Sequence, residues 1–114
     1  MTTEATASTA TPLTDEEGYL VNPDDWNEAV ADEFARQEGL ALTDEHRRII
    51  GFMRGYYDEH RVAPDARFVI KYLADELGAG RGAHKRLFEL FPYGYVKQAC
   101  RIAGMKRPRA WSTG

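Results

Sequence analysis

Phe91-Pro92-Tyr93-Gly94-Tyr95-Val96-Lys97-Gln98-Ala99-Cys100-Arg101-Ile102-Ala103-Gly104 is the stretch whose reading decides the fold. Pro92 and Gly94 interrupt whatever helix precedes them, so a new helix can begin near Gly94 or Tyr95. Val96, Ala99, Cys100 and Ala103 recur at helical spacing, and Gly104 offers a stop. The only cysteine of the chain therefore lies on or beside an apolar stripe. Beyond it runs a short basic tail, Lys106-Arg107-Pro108-Arg109, with Trp111 near its tip.

Upstream of this stretch the pattern is helical. His84 to Phe91 reads as a short helix with Leu87, Leu90 and Phe91 inward, closed by Pro92. A helix from Pro64 carries Ala66, Val69, Ile70, Leu73 and Leu77 on one side and ends in the glycines from Gly78 to Gly82. Thr43 is an N-cap, with Asp44 and Glu45 in the first turn of a helix that ends near His60. Ile49, Ile50, Met53, Tyr56 and Tyr57 give that helix a wide apolar face. Asn22 followed by Pro23 predicts the start of the first helix, with Trp26, Val30 and Phe34 as its stripe and Gly39 as its end. Leu13 to Val21 reads as a small β-hairpin turning at Asp15-Glu16-Glu17-Gly18. The expected fold is mostly α, in the α+β class: five helices in a single domain, a small N-terminal β-hairpin and an extended C-terminal arm. Residues 1–10, almost only Thr, Ala, Ser and Glu, read as a disordered tail, 11–104 as the helical domain and 105–114 as a flexible basic arm.

Composition narrows the function. At 114 residues and 43% hydrophobic content, the chain suffices for one modest core. No apolar run approaches the ~18 residues of a membrane span. The N-terminus has neither a basic start nor an apolar run, so no signal peptide is expected. One unpaired cysteine fits a reducing cytoplasm, where the protein is expected to reside. Residues 1–60 carry a net charge of −10 and residues 61–114 one of +7. The halves can pair internally, or the basic half can face an acidic partner.

Little in the residues points to self-sufficient catalysis. The glycines at 78–82 lack a preceding strand and the Gly-Lys-Ser/Thr ending of a phosphate loop. His46, His60 and His84 are scattered without metal-ligand spacing, and no cofactor is implied. Cys100 has two open readings, a buried small hydrophobe or a reactive thiol. Lys97, one turn back, and Arg101 supply cations, whereas the helix start lies too far off for a strong dipole effect. At most a modest pKa shift is expected. Trp111 can anchor the arm in a pocket, with Lys106, Arg107 and Arg109 steering it toward an acidic surface.

Pro92-Tyr93-Gly94 followed by Lys97-Gln98-Ala99-Cys100-Arg101-Ile102-Ala103-Gly104 resembles the C-terminal signature of the DsrC/TusE family. Those are the gamma subunit of dissimilatory sulfite reductase and its sulfur-relay relatives. The resemblance extends through Asp15-Glu16-Glu17-Gly18-Tyr19-Leu20, Asn22, Asp25-Trp26, Leu42-Thr43 and Tyr56-Tyr57, and covers Leu13 to Gly104. It implies a mostly helical α+β domain with a C-terminal arm. In sulfur-carrying members a next-to-last cysteine on the arm carries sulfur, and the helix cysteine closes a bridge with it. Here Trp111 stands in place of that second thiol, and Tyr95 and Val96 stand where the family usually has Pro and Ala.

The resemblance therefore implies sulfur trafficking or sulfite-reductase association by docking. The protein is expected to be a carrier or partner subunit, sulfurtransferase-like, rather than a self-sufficient enzyme. Cys100 is its only possible sulfur-carrying thiol, as a persulfide or a mixed disulfide, and Lys97, Arg101, Lys106, Arg107, Arg109 and Trp111 are candidate docking residues. Implied partners are sulfite reductase subunits, sulfur-relay proteins or a heterodisulfide-reductase-like complex. A different reading takes the third and fourth helices, with their glycine-rich turn and the basic C-terminal region, as a helix-turn-helix-like nucleic-acid regulator. The overall pI of about 5.6 argues against it.

Overall fold

The computed structural model describes residues 13–106; the expected N-terminal tail at 1–10 and the arm residues 107–114 lie outside the described residues. Five helices are laid down in order: α1 (Glu28–Gln37), α2 (Asp44–His60), α3 (Ala66–Asp75), α4 (Ala83–Leu90) and α5 (Cys100–Ile102). A π-helical segment, Tyr95–Ala99, runs directly into α5. Short 3-10 turns, Pro23–Asp25 and Gly80–Gly82, precede α1 and α4. α3 packs on α2 and α4, and α1 packs on α5.

The expected β-hairpin is not there: no strand forms among the described residues. Between Leu13 and Val21 a single antiparallel bridge joins Thr14 and Leu20. Asp15 explains why. Its carboxylate accepts the amides of Glu17 and Tyr19, at 2.9 and 3.0 Å, so most of the segment is spent on the turn. Too few residues remain on either side for a ladder. Tyr19 and Leu20 are nonetheless buried in the helical core.

The first helix also differs from expectation. Asn22 does accept the Asp24 amide at 3.0 Å, but it caps only the 3-10 turn. Trp26 is extended, and Asn27 caps α1 afresh by accepting the Val30 amide at 3.0 Å. Two cap residues five apart compete to start one helix, and the second starts it. The other caps are simpler. Thr43 begins α2 in a capping box with His46. Asp65 caps α3, so that helix begins two residues after Pro64, where the sequence placed its start.

One core gathers the stripes: Val30 and Phe34 from α1, Ile49, Ile50 and Met53 from α2, Val69 and Leu73 from α3, and Leu87 and Leu90 from α4. Trp26 is only half-buried, packed against its edge. Phe91, Tyr95, Ala99, Cys100, Ile102 and Ala103 complete the core, so the cysteine segment passes through its middle. Met105, assigned to the arm by the sequence reading, is also fully buried, and its amide donates to the Cys100 carbonyl at 3.1 Å. The acidic and basic halves pair internally at Arg101–Glu38, Arg86–Glu45 and Arg61–Asp24.

Candidate functional site: a sealed cysteine helix

The π segment sets the surroundings of Cys100. The Cys100 amide donates to the Tyr95 carbonyl five residues back, a wider turn than that of an α-helix. That turn brings residues 95 and 100 onto the same side of the helix. The Tyr95 ring is fully buried, and its hydroxyl donates to the Pro64 carbonyl at the head of α3, at 2.5 Å. Burial pushes the thiol up to about 12, and the tyrosine hydroxyl offsets only part of this. Burial also raises the pKa of Tyr95 itself.

The modest shift expected at Cys100 is thus overturned, because the cations do not serve it. Lys97 is exposed. Arg101 turns to the other side and is spent on structure. Its Nη1 donates to Glu38 at 2.7 Å, its Nε to the Gly18 carbonyl at 2.9 Å and its Nη2 to Gln37 at 2.5 Å. Its guanidinium also lies over the Phe34 ring, 4.8 Å from the centroid. Gln98 supports the same corner: buried, it accepts the Tyr93 amide at 3.1 Å and donates to Glu38 at 3.2 Å.

The far end of the cysteine helix is held just as firmly. The Trp26 indole N–H donates to the Ile102 carbonyl at 2.9 Å, and Arg54 donates to the Ala103 carbonyl at 3.1 Å. These are the orphan carbonyls that every helix end leaves. Arg54 also donates to the Pro23 carbonyl and lies over the Trp26 ring, 4.8 Å from its centroid. Gly104 turns the chain with φ +77°, and a Cβ there would come within 2.4 Å of the Trp26 ring.

At the near end, His46 fixes the turn at Pro92. Its Nδ1 accepts the Thr43 amide at 3.0 Å, so Nε2 carries the proton and donates to the Leu90 carbonyl at 2.7 Å. Phe91 meets its ring edge-on at 5.1 Å.

The structure therefore brings Cys100, Tyr95 and Arg101 together around one helix. Lys97 and Lys106 are exposed, and Arg107, Arg109 and Trp111 lie outside the described residues. Sequence reasoning missed the supporting roles of Trp26, Glu38, Arg54 and Gln98. Trp26 carried a signal, since it stands in the family-like Asp25-Trp26 pair; a polar contact across sixty residues, such as Gln98 with Glu38, carries none. Among the described residues, no group of three or more His, Cys, Asp or Glu side chains could hold a metal ion. No described helix is long and apolar enough to cross a membrane.

Comparison with known proteins places this geometry among relatives. The family model described as "DsrC like protein" matches residues 6–110. The sulfurtransferase TusE of Sodalis glossinidius is 42% identical over 95 residues, covering 83% of this chain and 88% of the relative. The NMR structure of Allochromatium vinosum DsrC superposes with a TM-score of 0.76 at 48% identity, covering 87% of this chain and 88% of the other. The crystal structure of the oxidized gamma-subunit of the dissimilatory sulfite reductase from Archaeoglobus fulgidus gives 0.72 at 31%, covering 89% and 92%.

Proposed function

Because the chain belongs to the DsrC-like family, we propose that it acts in sulfur relay as a docking protein, engaging the partners that sulfur-carrying members engage. The observation that carries this is the signature-bearing stretch from Phe91 to Gly104, folded around a single buried thiol. Relatives named as a sulfurtransferase and as a sulfite reductase subunit favour this over the nucleic-acid reading. The partners are sulfite reductase subunits, sulfur-relay proteins or a heterodisulfide-reductase-like complex. Docking runs through the exposed Lys97 and Lys106 together with the arm residues Arg107, Arg109 and Trp111. Arg101 contributes indirectly, by holding the cysteine helix in place.

Sulfur transfer to Cys100 takes a defined form. The Cys100 thiolate attacks the outer sulfur of a donor persulfide; a new S–S bond forms at Cys100, and the donor leaves as a thiolate. With the thiol at about 12, the closed domain holds on the order of one thiolate in 10⁵ molecules at neutral pH. Transfer therefore waits on opening of the cysteine helix, and docking without turnover is the protein's resting activity. Such a protein competes with a two-cysteine relative for the same partners.

Intact mass after incubation with a persulfide donor tests the carrier step. A gain of one sulfur atom in the native protein, as fast as in denaturant, would contradict a sealed thiol. Capture of a sulfur-relay protein or of sulfite reductase tests docking. Trp111→Ala should weaken that complex by ~2 kcal/mol or more, chiefly through faster dissociation, and charge reversal at Arg107 and Arg109 should slow association. No complex with any of these partners would sink the reading.

A further inference from the structure

The last turn of α2 is charged against its own dipole. Asp58 and Glu59 stand there exposed, where a helix end favours cations. Arg47 and Arg48 stand exposed near the start of the same helix. Arg47 reaches Glu28 and Asp32 of α1, at 2.9 and 2.8 Å. Among the described residues Arg48 and Asp58 enter no ion pair, and Glu59 meets His60 at 3.6 Å.

Between these charged ends the outer face of α2 is bare. Gly51 and Gly55 sit there, both exposed, and a Cβ on either would meet nothing within 4 Å. Along one flank runs an apolar groove of about 260 Å³, walled by Phe52 and Tyr56 of α2 and by Phe68 and Tyr72 of α3. Phe68 is 42% exposed.

The order of these residues is its own complement. Reversed end for end, α2 sets Arg48 against Glu59, Arg47 against Asp58 and Gly51 against Gly55. Each pair is centred within half a residue of Met53, under ~1 Å along the axis. At about 100° per residue, Arg48 and Glu59 lie on the groove flank of the glycine line, and Arg47 and Asp58 on the other flank. A two-fold axis between two facing copies, crossing the helices at right angles, reverses their direction but sets each flank against itself. Each arginine then meets a carboxylate of the second copy. The bare glycines let the two backbones approach, and the two grooves close over each other's exposed rings on one flank. A uniformly basic or uniformly acidic partner would meet like charge at one end of this face. A second copy meets opposite charge at both.

We propose that the outer face of α2 is a self-association surface, on which two copies of this chain pair antiparallel about a two-fold axis at Met53. The bridge from Arg48 to the second copy's Glu59 is made twice in such a pair, and it fixes the register. The pairing stands whether or not the sulfur-relay reading is right.

Sedimentation equilibrium of the full chain with reductant, from micromolar concentration to ~1 mM, tests this. The mass should climb from 12.9 kDa toward twice that value. Arg48→Glu and Glu59→Arg, both at exposed positions, should each weaken pairing by ~10-fold or more, because each sets like charges together twice. Mixing the two variants in equal amounts should restore pairing, since each arginine then faces a carboxylate again. Gly55→Leu should weaken pairing while its unfolding midpoint does not fall. A mass of one chain at every concentration would overturn the proposal. So would a dimer indifferent to the charge changes, or single variants that stay apart when mixed.

Discussion

Cys100 is kept as a thiol by its burial, and that has a pH signature. Its folded pKa of about 12 stands above the reference value of 9.0. The unfolded chain therefore loses this proton first as pH rises. Below pH 9 both states hold the proton and the contribution to stability is fully present; between pH 9 and 12 it is progressively lost. Stability should fall by about 1.4 kcal/mol from this group between pH 8 and pH 10. Urea midpoints of the native protein compared with Cys100→Ala check it: the difference between the two should shrink across that window. The same burial predicts slow alkylation of the native thiol, far slower than in denaturant. Arg101 is the second residue on which much rests. Its ion pair with Glu38 leaves the two side chains only 16% and 21% exposed, and removing one member strands the other. Arg101→Ala should cost about 2–4 kcal/mol in chemical denaturation. Arg101→Lys should recover part of that, since one ammonium cannot reach Glu38, Gly18 and Gln37 together.

At the scale of elements, the cysteine helix is fixed by its two ends more than by its own turns. α5 proper spans only Cys100–Ile102, and the π segment before it is a looser winding. Trp26 and Arg54 take the carbonyls at its end, and Gly104 turns the chain against the indole. Two glycines of nearly equal φ separate the causes. Gly39, at +72°, has nothing within 4 Å of an added Cβ, whereas Gly104, at +77°, would collide with Trp26. Gly39→Ala should cost about 1 kcal/mol, from backbone strain alone. Gly104→Ala adds overpacking and should cost about 2–4 kcal/mol. Equal losses in unfolding midpoint would show that the close approach of Trp26 contributes nothing.

On the scale of the whole molecule, one core and a few cross-chain pairs hold the helices together. Phe34 and Leu73 are fully buried on different helices, so truncating either to Ala should cost about 2–5 kcal/mol. Phe34→Ala should fall toward the upper end, because it also removes the ring under Arg101. Thermal unfolding of the two variants checks both size and order. Among the described residues, the opposed charges of the two halves meet at Arg101–Glu38, Arg86–Glu45 and Arg61–Asp24.

Sequence by itself determined where α2, α3 and α4 lie and the inward face of each, because helix periodicity and cap chemistry are local. Thr43 and the stripes through Phe34, Met53 and Leu73 were legible for that reason, as were Cys100 on an apolar face and the family that its segment resembles. The strands predicted around Asp15 were not formed, since whether a turn is extended into a ladder depends on what packs beyond it. The split at Trp26 was equally hidden: a helix from Asn22 satisfies every local rule, and only the carbonyl of Ile102, 76 residues away, explains why the indole is turned out of it. The state of Cys100 was also decided by tertiary structure. Arg101 stands next to it in the sequence, yet its guanidinium is committed to Glu38, Gly18 and Gln37. A thiol's ionisation depends on the dielectric and the charges within a few ångströms, and those are supplied by segments the sequence does not place side by side.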